Sequence, residues 1–390
     1  MSMVVLSPMA IDIYLSSMPH MAVELSANSS QIQSTISLFF FAVGIGQLFV
    51  GPVADKYGRK IVALVGLLLY CASALGASLV SDIVHLQLLR FLQGLASCAI
   101  SVVIFSVVRD VYTYERSSKV YSYLNGVLSI VPAVAPILGS ALAQYYGWRS
   151  TFIFMFAFSA AVFLIVAYYL PETLSELNSK ASAKSKLYSL TKFKRVLANR
   201  SFVFYAFCVM AGLACILSYV SYAPLWLIAH LEVSQMTFSL LFGFNACLSI
   251  ICCFLAPKWI TAYGNRFMVG LGLSLMLVGG CLLALLSLYD FKGLYAAVAF
   301  MMPVGFLSAG LALSIGPASA VALSSFADSA GTASAVLGFI QMAGAAMVIS
   351  AVQQTNLIAP QAVSLIVFVI VIPLLCVMYL PKFSAWSAER

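Results

Sequence analysis

Two ionisable residues, Asp12 and Arg90, each lie inside an apolar stretch long enough to cross a bilayer, and once the loop charges are set aside they are the two charges left at membrane depth. A charge at the bilayer centre costs about 2.5–3.5 kcal/mol on insertion scales, so such residues usually face a cavity and act there. Asp12 precedes His20 by eight residues and Arg90 follows His85 by five. With both histidines at outer span ends, the two charges sit roughly 12 Å and 8 Å deep. Comparable depth allows an interaction, direct or through water or substrate. Desolvation disfavours an ionised carboxylate and a nearby guanidinium favours it, so a carboxylate whose surroundings alternate could take up a proton outside and release it inside. Arginine does not titrate in this range, and Arg90 would act by charge and hydrogen bonding.

No membrane-centre charge occurs in the second half of the chain. Polar and aromatic residues stand there instead: Tyr219, Tyr222 and Trp226, then Phe242 and Asn245, then Gln341. With Tyr14 and Gln93 from the first half, Tyr219, Tyr222, Asn245 and Gln341 are the candidate substrate cavity, because aromatic faces with a few hydrogen-bonding groups suit amphipathic ligands. One carboxylate and one guanidinium nearly cancel, so neutral or zwitterionic amphipaths are expected to bind best.

The elements that position these residues follow from composition. Of 390 residues, 63% are hydrophobic and 8% charged, with a mean hydropathy of +1.05. No soluble fold hides that much apolar surface, which excludes a soluble enzyme, a nucleic-acid binder and a secreted module. A spanning helix takes about 20 apolar residues. Apolar windows cut at charged or Gly/Pro/Asn punctuation give twelve spans, at 2–20, 31–53, 60–80, 84–107, 119–144, 149–170, 200–228, 235–256, 265–288, 293–317, 329–353 and 361–381. The expected fold is therefore all-α and polytopic. All nine cysteines fall in apolar stretches and are expected to be free thiols. No histidine lies deep in a span and no Walker loop is present, which disfavours an intramembrane metalloenzyme and ATP-driven transport; no metal or other cofactor is expected.

With both termini placed in the cytoplasm, seventeen Lys and Arg residues lie inside and two, Arg149 and Lys292, outside. That asymmetry sets the orientation under the positive-inside rule. Residues 171–199 begin Pro-Glu-Thr and end with Lys192, Lys194 and Arg195. They read as a cytoplasmic linker between a six-span bundle at 1–170 and a second at 200–390. The basic residues suit either an amphipathic stretch along the anionic leaflet or a solvated tether.

The halves echo each other. Gly51-Pro-Val-Ala-Asp55-Lys-Tyr-Gly58-Arg59-Lys60 follows span 2, and Ala256-Pro-Lys-Trp-Ile-Thr-Ala-Tyr-Gly264-Asn-Arg266 follows span 8. In the first of these, Gly51 would allow close helix approach, Gly58 a tight reversal, and Asp55 could accept amides from a neighbouring helix N-terminus. In span 5, Pro132, Pro136 and Gly139 share one helix face, a pattern that kinks a helix and admits a neighbour closely.

These motifs resemble those of the major facilitator superfamily. The 51–60 segment is similar to its loop 2–3 signature, Arg90-Phe-Leu-Gln93-Gly94 to its span 4 motif, and Gly126…Pro132-x-x-x-Pro136-x-x-Gly139 to the span 5 motif of antiporters. Asp12-Ile-Tyr14-Leu15…Pro19, taken with Arg109-Asp110-Val-Tyr112, resembles the Bcr/CflA branch of drug:proton antiporters, with Ser16 where that branch usually carries proline and Ser140 in place of the second span 5 glycine. The resemblance covers the whole chain. It implies two six-helix bundles, proton coupling at Asp12 and Arg90, and a glycine-lined span 5 seal between the halves. It also implies an inner latch of Asp55, Arg59, Arg109 and Asp110 facing span 11 at Asp328–Thr332. The expected partners are small amphipathic substrates, protons and the lipid bilayer of a bacterial inner membrane, with no nucleic acid, for a monomeric exporter; a metabolite exporter is the rival reading.

Overall fold

The computed structural model describes residues 2–173, 190–289, 293–326, 329–355 and 357–380, and among them there is no strand. Ten helices are long and apolar enough to cross a membrane. Together with the broken first span they make twelve spans. The run Gln235–Leu286 is two spans meeting at Gly264, whose φ of 80° and ψ of 164° are non-helical. The first span is broken into Ser2–Asp12, a 3-10 turn at Leu15–Ser17 and Met18–Glu24, so no single piece is long enough to count.

The remaining spans are Ser29–Tyr57, Arg59–Leu79, Ile83–Val111, Tyr114–Tyr146 and Arg149–Tyr169 in the first half. In the second they are Arg200–Pro224 continued by a π-helical turn at Leu225–His230, the two arms of Gln235–Leu286, Gly293–Ser324, Ala330–Gln353 and Ala359–Tyr379. Several starts are specified locally. Asn28 and Gln31 form a reciprocal capping box on span 2, and the Asp82 carboxylate accepts from Val84 N and His85 N at the start of span 4. Spans 2 and 3 are joined through Gly58 alone, at φ 104° and ψ 150°, a region closed to residues with a Cβ. Gly264 does the same between spans 8 and 9, so the sequence echo is a structural echo.

Span 1 breaks although Ser16 is not proline. Pro19 sits in the first turn of Met18–Glu24, where its missing N–H costs nothing.

Contacts divide the chain into two compact units, Met1–Leu190 and Thr191–Arg390. In the first, span 4 packs on spans 2 and 3, span 3 on span 6, and the Ser2–Asp12 helix of span 1 on spans 4, 5 and 6. In the second, span 10 packs on span 7 and on the 235–286 run, which also carries span 12. Within the linker, Leu190–Ala198 is an amphipathic helix: Val196 is buried and Phe193 half-buried, while Lys192, Lys194 and Arg195 are exposed. Linker residues 174–189, with Lys180, Lys184 and Lys186, lie outside the described residues, as do Lys292, Asp328, Lys382 and Arg390. All nine cysteines are free thiols; Cys71, Cys98, Cys208 and Cys215 are buried.

Candidate functional site

The first unit holds the membrane-depth charges. Asp12 is the last residue of the first helix of span 1, Ser2–Asp12, and is 6% exposed. Among the described residues it makes no ion pair, with Arg90 or any other group. Arg90 is wholly buried, with its Cζ 4.7 Å from the ring centres of both Tyr14 and Phe39. Stacking a guanidinium on aromatic faces offsets part of its desolvation cost. Arg90 Nη1 donates to Gln93 Oε1 at 2.5 Å, while Nε and Nη2 have no partner among the described residues. These two N–H groups point along one edge of the guanidinium, the side-on fork that a carboxylate fits with both oxygens.

Neighbouring elements hold this arrangement. Thr35 Oγ1 donates to Ile32 O at 2.6 Å, so its contact with Tyr14 Oη at 3.0 Å is one in which the tyrosine donates. Tyr70 Oη donates to Leu6 O at 2.9 Å, tying span 3 to the first helix of span 1. Gly94 lets span 4 close on span 2: a Cβ there would lie 2.3 Å from Phe39 O. Gly139 makes the tightest approach, since its Cβ would lie 1.6 Å from Ile13 O. The bare face of span 5 thus meets span 1, at the residue after Asp12, inside the same unit. Pro132 and Pro136 lie in the same helix, and nothing lies within 4 Å of the Cβ position of Gly126.

Near the Gly58 turn, Arg59 is 3% exposed and pairs with Asp55 at 2.5 Å and Asp110 at 3.1 Å. Arg109 Nε stands 3.8 Å from Asp110 Oδ1, but its side chain is 67% exposed, and such a pair is worth little. One expectation needs correction. Nothing lies within 4 Å of the Cβ position of Gly51, so the close approach expected there is absent among the described residues. A carboxylate does cap the N-terminus of span 3, and it is Glu172: its Oε1 accepts from Arg59 N at 2.9 Å and its Oε2 from Lys60 N at 3.1 Å. A Cβ on Gly58 would lie 2.4 Å from Glu172 Oε2, so the glycine makes room for the cap. Sequence reasoning missed Glu172; the Pro-Glu-Thr after span 6 marked a linker start, and nothing local tied it to a turn 113 residues away. The expected facing element at Asp328 lies outside the described residues.

Where spans 1 and 3 end and span 6 begins, Glu24 accepts from Trp148 Nε1 at 2.5 Å and pairs with Arg149, whose Nη2 also donates to Val80 O at 3.0 Å. Arg149, and then Trp148, hold the Glu24 carboxyl below the usual range.

In the second unit, Tyr219 stacks on Phe242 with ring centres 5.5 Å apart and Ser308 donates to the Asn245 side-chain oxygen. Tyr222 is buried with its hydroxyl unpartnered among the described residues, and Gln341 is half-buried in the π-helical turn Ile340–Gly344. Trp226 stacks on His230 at 4.3 Å in the turn that ends span 7.

Residues 1–349 match the family described as the Major Facilitator Superfamily. A relative from Vibrio parahaemolyticus, "Multidrug resistance protein MdtL", is 27% identical over 98% of this chain and 94% of its own. "Chloramphenicol resistance protein" from Pseudomonas aeruginosa is 31% identical over 85% of this chain and 77% of its own. Among solved structures, a D-xylose–proton symporter superposes with a TM-score of 0.74 at 15% identity, over 97% of this chain and 96% of that one, a likeness of fold alone.

Proposed function

The chain belongs to the major facilitator superfamily, and from that premise we propose that it exports small amphipathic drugs across the bacterial inner membrane in exchange for protons, by alternating access. The observation that carries the reading is Asp12, a buried carboxylate in a broken apolar span with no ion-pair partner among the described residues. The names of the relatives, for multidrug and chloramphenicol resistance, support the cargo class.

In this reading Asp12 binds a proton when its side of the cycle faces outward and gives it up inward, where substrate binding favours the ionised form. Arg90 biases that exchange by charge, and its free fork is a landing place for the ionised Asp12 carboxylate. Gly139, with Pro132 and Pro136, holds span 5 against span 1 and limits proton leakage; Gly126 lies on the same helix in open space. Asp55, Gly58, Arg59, Arg109 and Asp110 form the inner latch, which shifts the balance of conformations only through interactions that differ between them. Tyr14, Gln93, Tyr219, Tyr222, Asn245 and Gln341 contribute to the substrate cavity. Both termini are cytoplasmic, and the protein works as a monomer in the lipid bilayer without cofactor or nucleic acid.

Substrate counterflow in proteoliposomes, run with neutral, zwitterionic and dicationic antibiotics and with amino acids, sugars and nucleosides, tests the cargo. Exchange of several unrelated neutral or zwitterionic drugs is expected, matched by raised resistance in an efflux-deficient bacterium. Exchange of one metabolite and no drug would overturn the reading in favour of a metabolite exporter.

A further inference from the structure

Span 7 ends in a feature that the export cycle proposed above does not use. Its last turn, Leu225–His230, is π-helical, and the chain leaves it with Leu231 N donating to Trp226 O at 3.0 Å and Val233 N to Leu227 O at 2.9 Å. Turns of this kind are rare and are found often at functional sites. This one lays the His230 imidazole against the Trp226 indole, ring centres 4.3 Å apart and planes 20° from parallel. Trp226 is half-buried and His230 exposed, so the stacked pair is not locked inside the core.

Trp226 and His230 also line a cavity of about 250 Å³. Ser287 and Tyr289, just past the end of span 9, line it too, with Ala296 of span 10 and Pro360 of span 12. All of these residues belong to the second unit. None of them is among the candidate cavity residues Tyr219, Tyr222, Asn245 and Gln341.

The lining selects a ligand by charge, shape and size. It contains no Lys, Arg, Asp or Glu, so a fully charged ligand would lose hydration without gaining an ion-pair partner. Indole, imidazole and phenol rings offer flat faces to an aromatic ring. The indole N–H can donate, the imidazole can donate and accept, and the Ser287 hydroxyl, which donates to Ala284 O at 2.7 Å, can still accept. An acyl chain would answer none of these groups. A cavity of about 150 Å³ holds benzene and drug-sized ligands take about 300 Å³ or more, so one aromatic ring with a short polar side chain fits between the two.

We propose that this cavity is a second ligand site, which binds neutral one-ring aromatic amphipaths by extending the Trp226–His230 stack. It needs neither Asp12 nor Arg90, which lie in the first unit, and its occupancy does not depend on proton coupling. In the orientation proposed above span 7 ends on the outer side, so the site is filled from the medium into which the protein exports. That placement rests on the proposed orientation; the ligand class rests on the lining alone.

The test uses the full-length protein in lipid nanodiscs, with chloramphenicol, a neutral one-ring nitroaromatic that quenches indole fluorescence, as the probe. The chain has four tryptophans, and the signal that Trp226→Phe removes is the one to follow. That signal should be quenched saturably in the wild type and equally in Asp12→Asn. His230→Ala, which removes the stacking partner, and Ser287→Leu, which fills the cavity, should each weaken the affinity about fivefold; both positions are at least partly exposed, so both variants should fold. Quenching of Trp226 that never saturates, or an affinity unchanged in both variants, would overturn the site. Quenching of Trp226 by lipids brominated on the acyl chain, unrelieved by chloramphenicol, would assign the cavity to lipid and overturn it as well. Saturable binding at Trp226 in a protein that exchanges only one metabolite would leave the site standing and sink the export reading, whereas multidrug counterflow without binding at Trp226 would do the reverse.

Discussion

Single atoms at Gly139 decide how closely span 5 can approach the residue after Asp12. A methyl group there would sit 1.6 Å from a backbone oxygen that no rotamer change can move. Gly139→Ala must therefore displace one of two packed helices, at about 1–3 kcal/mol or more. Gly126→Ala is the control on the same helix: with open space at its Cβ position, it should be neutral or gain up to about 1 kcal/mol from helix propensity. Thermal unfolding of the purified variants in detergent should show a clear drop for Gly139→Ala and none for Gly126→Ala; equal midpoints would contradict the packing described. Both glycines were legible as a motif. Their difference was not, because a sequence spaces residues along a helix without saying which face meets a neighbour. Asp12 and Arg90 were legible for a stronger reason: a charge in an apolar stretch is anomalous before any fold is known.

Elements are joined by two clips that tie ends far apart in sequence. Glu172 caps span 3 from the far end of span 6 through two backbone amides. Removing a helix cap costs roughly 0.5–2 kcal/mol. Gly58→Ala should cost more, since it adds backbone strain at φ 104° to a clash with that carboxylate. In the double variant Gly58→Ala/Glu172→Ala the clash is gone and the strain remains, so the two losses should sum to more than the measured loss; strict additivity would mean the two residues do not meet. Where span 6 begins, Glu24 is held below the ordinary carboxylate range chiefly by Arg149. A carboxylate depressed in the folded state stabilises above its unfolded value and loses that contribution as pH falls through the folded one. The melting gap between wild type and Glu24→Gln should therefore be widest near neutrality and close below about pH 4; a gap as wide in acid as at neutral pH would assign the effect to packing. Neither clip is local in sequence, which is why the elements were legible and their fastenings were not.

At the scale of the whole molecule, twelve spans and the echo of the 51–60 segment near Gly264 could be read from hydropathy and punctuation, because bilayer thickness sets span length and a tight reversal demands glycine. The break in span 1 was not readable, since an apolar run looks the same whether its backbone is continuous or turns at Leu15–Ser17. Orientation follows from charge placement: in a cysteine-free background, an impermeant reagent applied to intact cells should label Asn28→Cys and spare Ser185→Cys, and the reverse pattern would invert the topology. Proton coupling at Asp12 is the claim on which the functional account turns. Purified wild type and Asp12→Asn, reconstituted in parallel, should both catalyse substrate counterflow, and only the wild type should accumulate substrate against its gradient when a pH gradient is the sole energy source. Uphill accumulation by Asp12→Asn at the wild-type rate would contradict the account.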